Sequence, residues 1–173
     1  MRIREEFTMS NTKRLYLPLV PLAVVLAVAW SPTATASPPT QASGTVGNTS
    51  ATFNSIRAAD GNLIVDLSAT ASYTGTFTGT STINGTLIIH ADGSANFHDV
   101  EIFTGTVNGV AGTVTFNLNG SNDASLAVHA TDTIVDATGD LAGIHGVLHT
   151  VQTVLLPVGP VGTYSGQIHF GGP

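Results

Sequence analysis

The chain has 173 residues, a formal net charge of −6 at neutral pH, 9% charged residues and no cysteine. The lack of cysteine excludes a disulfide-stapled module and leaves packing as the source of stability. Four of the five basic residues (Arg2, Arg4, Lys13 and Arg14) fall at the very start. The rest of the chain cannot neutralise a phosphate backbone, which excludes nucleic acid as a partner. It also has no basic patch to hold an anionic membrane.

The first 36 residues read as an export signal. The four basic residues are followed by an apolar run over 15–29, and Ala34-Thr35-Ala36 supplies a small-residue cleavage pattern. This order predicts a mature start at Ser37 and a secreted, periplasmic or otherwise extracytoplasmic location. The apolar run contains Pro18 and Pro21 and, at about 15 residues, is shorter than the roughly 20 a spanning helix needs, so no stable membrane anchor is expected, an uncleaved N-terminal anchor being the competing reading. Met9 offers a second start that keeps Lys13 and Arg14, and with no cysteine there is no site for a lipid anchor. Cleavage leaves 137 residues, Arg57 as the one strong base, nine carboxylates and a formal charge of −8. That length suits one domain with one core. Trp30 is also removed, leaving Tyr73 and Tyr164 but no Trp, a poor supply for an aromatic carbohydrate platform.

Residues 37–50 (SPPTQASGTVGNTS) are small and polar with Pro and Gly, and read as a flexible leader to a domain over 51–173. Residues 51–58, with Phe53 and Ile56, form a first short strand before an Asp60-Gly61 turn. Leu63, Val65, Leu67, Ala69 and Ala71 then alternate with Ile64, Asp66, Ser68 and Thr70, as in a half-buried strand. Residues 73–79 and 82–90 continue the meander. Asp92-Gly93 is the tightest turn signal, since a type I′ hairpin needs positive φ at both central positions. Residues 95–106 return from it, and Asn108-Gly109 is a second hairpin signal. Val114, Phe116 and Leu118 alternate with Thr113, Thr115, Asn117 and Asn119. Residues 119–122 (NGSN) turn the chain into 124–137, and 139–143 turn it again into a long strand over 144–156. A Pro/Gly turn at 157–162 leads to the closing strand, 163–170. Gly-Thr units recur at irregular spacing, which marks bends rather than a solenoid. About eight to nine strands without a helix indicate an all-β closed barrel or a sandwich.

Three stretches decide between these by resemblance: YTGTFTGTST over 73–82, HADGSANF over 90–97 and GDLAGIHG over 139–146. They resemble a family of small bacterial proteins of unknown function, related to the allene oxide cyclase-like, calycin-like barrels. The similarity runs over roughly 51–170. It implies a single eight-stranded antiparallel β-barrel of the allene oxide cyclase-like type, and a tendency to homo-oligomerise. The shared residues build strands and turns, so they imply a fold and hardly any chemistry. The export segment and the scarcity of aromatics depart from the cytoplasmic relatives.

All six histidines lie after residue 36. On one strand His145 and His149 share a face but stand about 13 Å apart (four residues at about 3.3 Å), too far to share a zinc ion. A hairpin centred near Val158-Gly159 would place His149 opposite His169, a pair able to co-ligate a metal or pass a proton. No third ligand has metal spacing, so neither a metal site nor another cofactor is expected, and decoration of a barrel face is the simpler reading. On 95–106 one face carries Phe97, Asp99, Glu101 and Phe103, the other Asn96, His98, Val100 and Ile102. Whichever face turns inward brings ionisable or polar groups with it. A carboxylate or imidazole in a lumen would have a shifted pKa and could act as acid or base. An exposed acidic face that protects a sheet edge is the preferred reading. Asp132, Asp136 and Asp140 cross a strand-to-turn boundary and read as solvated turn residues, not a calcium loop. No nucleophile elbow, Walker loop or dinucleotide fingerprint occurs.

The leading functional expectation is a barrel whose lumen holds a small apolar or amphipathic ligand. Tyr73, Phe97, Phe103, His145 and His169 are its candidate contacts. The second class, which the resemblance implies, is a cyclase or isomerase, with Asp99, Glu101, His98 and His149 as candidate acids and bases. A third is an oligomeric surface or matrix interaction protein, which the Thr/Gly-rich, low-charge composition permits.

Overall fold

Alternation with a period of two runs through almost the whole sequence after residue 37, and the chain answers it with strands alone. The structure, a computed structural model, describes residues 37–171, so the export segment expected over 1–36 lies outside the described residues. The strands are β1 (Thr40–Ala59), β2 (Asn62–Gly75), β3 (Phe77–Ile89), β4 (Ala95–Val107), β5 (Val110–Asn122), β6 (Ala127–Gly139), β7 (Ile144–Leu155) and β8 (Gly159–Phe170). Each pairs antiparallel with the next, and β8 pairs back onto β1, so one eight-stranded antiparallel sheet closes in a ring.

Inward positions follow the alternation. On β5 they are Val114, Phe116 and Leu118, and on β6 Val128, Ala130, Asp132 and Ile134, all buried. The outer face carries hydroxyls and amides that bridge strands, as where Thr45 meets Thr74 and Thr49 meets Thr70, each at 2.7 Å. Such cross-strand pairs hold register on a face with little to bury.

The first strand departs from the sequence expectation. Residues 40–50 are not a leader but the opening half of β1, and residues 40–47 pair with β8 to close the ring. Ala42 and Val46 point inward and are buried; small residues there concealed the alternation. Beyond the Gly47–Val161 pair β8 ends its pairing with β1, while β1 runs on beside β2 alone. Among the described residues no strand covers that edge of 48–59.

Several boundaries also shift. The stretch 73–79 is not one strand: β2 runs through Tyr73 to Gly75, and the chain reverses at Gly75-Thr76 into β3. The two-residue loops with positive φ at both positions are Asp60-Gly61 and Asn108-Gly109, whereas at Asp92-Gly93 only the glycine is positive. There the chain makes a wider loop in which the His90 N–H donates to the Ser94 carbonyl, and Asp92 Oδ1 accepts from the Ser94 N–H. Residues 119–122 stay within β5; the turn follows at 123–126, where Asp123 Oδ1 accepts from the Ser125 and Ala127 N–H groups. The 139–143 turn forms as expected and drives Leu141, 0% exposed, into the ring.

One end of the ring is filled. Tyr73, Phe77, Phe103, Phe116 and Tyr164 pack with centroid separations from 5.4 to 6.4 Å, and Leu141 closes the cluster from the β6–β7 turn. Each such side chain contributes about 1.5–3 kcal/mol by burial. The other end is not filled.

Candidate functional site

The unfilled end holds a cavity of about 190 Å³. Its inward positions carry smaller or shorter side chains than the aromatic end: Ala69 on β2, Ile83 and Leu87 on β3, Leu118 on β5, Val128 and Ala130 on β6. Tyr73 forms its floor, and Phe97 stands in its wall. Two glycines make room for larger neighbours. A Cβ at Gly85 would collide with the Asp99 carboxylate, and one at Gly120 with the Phe97 ring. At the outer margin Phe53 and Leu156 are 60% and 82% exposed, so the lining continues to solvent.

Three carboxylates face this space. Asp99 and Glu101 occupy successive inward positions of β4, and Asp132 projects from β6. Asp99 pairs in register with Leu118 of β5, which pairs in turn with Asp132; one leucine therefore separates the two aspartates in a single row. All three are buried, at 8%, 1% and 2% exposure for Asp99, Glu101 and Asp132. Glu101 is satisfied by Ser81, whose Oγ donates to its Oε1, and the nearby Tyr73 hydroxyl favours its charged form. Among the described residues Asp99 Oδ1 and both carboxylate oxygens of Asp132 have no hydrogen-bond partner.

Burial disfavours charge on each group. It lifts Asp99 to about 6 against the opposing pull of His98. Glu101 rises to about 7 through burial, opposed by its bonds to Ser81 and Tyr73 and reinforced by Asp99. Asp132 rises to about 8 through burial and then through the charges of Glu101 and Asp99. The Tyr73 hydroxyl is pushed well up by burial and by Glu101. Among the described residues the lining contains no Lys or Arg. Arg57, the one strong base among the described residues, is exposed on the free stretch of β1. Among those residues no group of three or more His, Cys, Asp or Glu is placed to hold a metal ion.

The preferred reading of residues 95–106 as an exposed acidic face is therefore overturned. The Phe97–Asp99–Glu101–Phe103 face points inward, and Asn96, His98, Val100 and Ile102 are exposed. Of the candidate contacts, Tyr73 and Phe97 line the cavity, while Phe103 lies in the packed end. The histidines stand elsewhere. His98 is exposed beside Asn119, with Nδ1 at 2.8 Å from its Oδ1. His149 is exposed beside Thr131. His149 does not face His169: it pairs with Ser165, and His169 pairs with His145, their rings 5.7 Å apart outside the ring. The β7–β8 turn is centred on Pro157, not near Val158-Gly159, and this displacement of the centre moves every cross-strand partner.

Residues 42–154, from the first inward residue of β1 to the cavity wall on β7, match a family described as protein of unknown function, DUF3224. The chain belongs to the DUF3224 family. A crystal structure of a protein with unknown function from the DUF3224 family of Shewanella oneidensis MR-1, at 1.84 Å, superposes with a TM-score of 0.57. It is 16% identical and covers 79% of this chain and 100% of its own, so the two share a fold. No curated protein matches the chain.

The cavity residue that sequence reasoning missed in this DUF3224 chain is Asp132. It is not a solvated turn residue, although Asp136 and Asp140 are exposed. The signal was present: Val128, Ala130, Asp132 and Ile134 alternate on one face, which carries Asp132 inward with its apolar neighbours. Chemically, the DUF3224 cavity offers an apolar wall and three buried carboxyl groups whose pKa values burial raises towards neutral, two of them with oxygens that have no partner among the described residues.

Proposed function

We propose that this DUF3224 protein is an exported, calycin-like barrel of the allene oxide cyclase-like type that binds a small apolar or amphipathic molecule in the unfilled end of its ring. The observation that supports this reading is the contrast between the two ends. The same eight strands pack five aromatic side chains at one end and leave about 190 Å³ at the other. A cavity of about 150 Å³ lined by Leu, Ile and Phe accepts benzene, so this larger one suits a body of one or two small rings. Titrating the 15N-labelled exported protein with indole tests the reading. Amide shifts are expected to centre on Phe97, Leu118 and Ala130; shifts that are absent, or confined to the outer face, overturn it.

A second reading is acid–base chemistry on the bound molecule, by a cyclase or isomerase. What favours it is that Asp99, Glu101 and Asp132 are held at about 6, 7 and 8, the range in which a carboxyl group serves as acid or base at neutral pH. Its test is turnover that Glu101→Gln abolishes while indole still binds.

A further inference from the structure

We infer that the molecule held in the cavity carries a positively charged alkylammonium head, which sits against Asp99 and Asp132 with Glu101 beside it. This inference rests on the lumen-binding reading above and specifies the chemistry of the ligand. Its first support is what the buried groups lack. Asp99 Oδ1, Asp132 Oδ1 and Asp132 Oδ2 are enclosed without any donor, and a buried polar group left unpaired is costly, most of all when charged. Native proteins satisfy nearly all such atoms.

The second support is the shape of the need. The unpaired atoms are acceptors on two strands, across Leu118 from one another, so one central group with several donors meets them best. The carboxylates are not arranged to hold a metal ion. An alkylammonium has three N–H donors and forms charge-assisted bonds to carboxylates at about 2.7–2.9 Å. Leu67, Ile83, Leu118 and Val128 line the rest of the cavity and would take the apolar body.

Among the described residues no protein group competes for this role. The other inward titratable group at the cavity is Tyr73 of β2, whose hydroxyl is kept neutral by burial and by Glu101 and carries no positive charge. Tyr164 of β8 is occupied at the packed end, where it bonds to Phe77 and Thr74. The cavity positions of β1, β3, β5 and β7 bear no ionisable side chain, and their polar members are Asn48, Asn122, Thr150 and Gln152. His98, next to Asp99 in sequence, points outward to Asn119.

The test compares three ligands of one shape on the exported protein by NMR titration: phenethylamine, 2-phenylethanol and phenylacetate. At pH 8 the amine is expected to bind at least about tenfold more tightly than the alcohol, a ratio worth one charge-assisted hydrogen bond, and phenylacetate most weakly. Between pH 6 and 8 the amine should tighten as the carboxyls ionise, while the alcohol stays constant. Asp132→Asn should bring the amine down to the alcohol. Where that variant fails to fold, Asp99→Asn is read in the same way beside the wild-type ratio. Equal binding of amine and alcohol in the cavity overturns the cationic head and leaves the lumen reading standing. Absence of binding by all three overturns both. Amine shifts confined to the outer acidic loops at Asp92 and Asp123, unchanged by Asp132→Asn, also overturn the inference.

Discussion

Gly85 stands directly across the β3–β4 ladder from Asp99, and any side chain at Gly85 would enter the space of the Asp99 carboxylate. The glycine thus creates the room in which a carboxylate can turn inward without a partner. Gly85→Ala is expected to destabilise the protein by about 1–3 kcal/mol, the usual cost of overpacking. Gly85→Ala/Asp99→Ala should recover only part of this, because the new Cβ also stands 2.7 Å from the His98 carbonyl oxygen. Urea denaturation of both variants beside the wild type checks these expectations; a neutral Gly85→Ala would show that Asp99 has free space elsewhere.

Stability should fall as pH rises from about 4 to about 8. Asp99, Glu101 and Asp132 have folded-state values raised by burial to about 6, 7 and 8. Groups raised in this way bind more protons folded than unfolded, so their contribution is full below the unfolded values and is lost on rising through the folded ones. A tenfold difference in proton affinity between the folded and unfolded chain is worth about 1.4 kcal/mol. Asp66, Asp92 and Asp123 are lowered by bonds from Ser55, Ser94 and Ser125, and these act in the opposite sense, below their ordinary value of 3.8. The maximum is therefore expected near pH 4–5. Thermal midpoints from pH 3 to 9 test this, and Asp132→Asn should flatten the upper part of the curve. A midpoint that climbs from pH 5 to 8 would show the carboxyls to be solvated.

How far the site could be read from the sequence depended on what each strand needed from its neighbours. Asp60-Gly61 and Asn108-Gly109 announce their hairpins locally, because positive φ at two successive positions is a property of those residues. The alternation of Val114, Phe116 and Leu118 likewise orients β5 unaided. On β4 both faces mix apolar with polar residues, and the choice is made by neighbours: glycines at 85 and 120 accept Asp99 and Phe97. That complement lies on the adjoining strands, beyond any local pattern. The opening half of β1 was hidden for a different reason. Its partner, β8, is the last strand, and Ala42 and Gly44 give almost no hydrophobic signal. The histidine pairing failed on register alone, which the turn at Pro157 fixes.

Tyr164→Phe is expected to cost about 1–3 kcal/mol, the range for leaving a buried donor unsatisfied. The hydroxyl accepts from the Phe77 N–H at 2.8 Å and donates to the Thr74 carbonyl at 3.0 Å. It therefore ties β8 to the β2–β3 turn across the packed end. Denaturation midpoints check the cost, and indole binding at the opposite end should be unchanged. A neutral substitution would mean that water replaces the hydroxyl.

Filling the cavity should separate stability from binding. Ala130 is 8% exposed, faces the cavity from β6, and lies in register between Gly120 and Thr150. Ala130→Leu projects its added carbons into the open volume, and cavity-filling changes commonly gain about 0.5–2 kcal/mol. The variant is expected to melt at or above the wild-type temperature and to lose the indole-dependent amide shifts. His145→Ala and His149→Ala, altered on the outer face, should keep both properties, as exposed substitutions usually stay within about 0.5 kcal/mol. Retained indole binding in Ala130→Leu would move the ligand out of the ring. Loss of stability together with binding would mean that the end called open is already shaped to its contents.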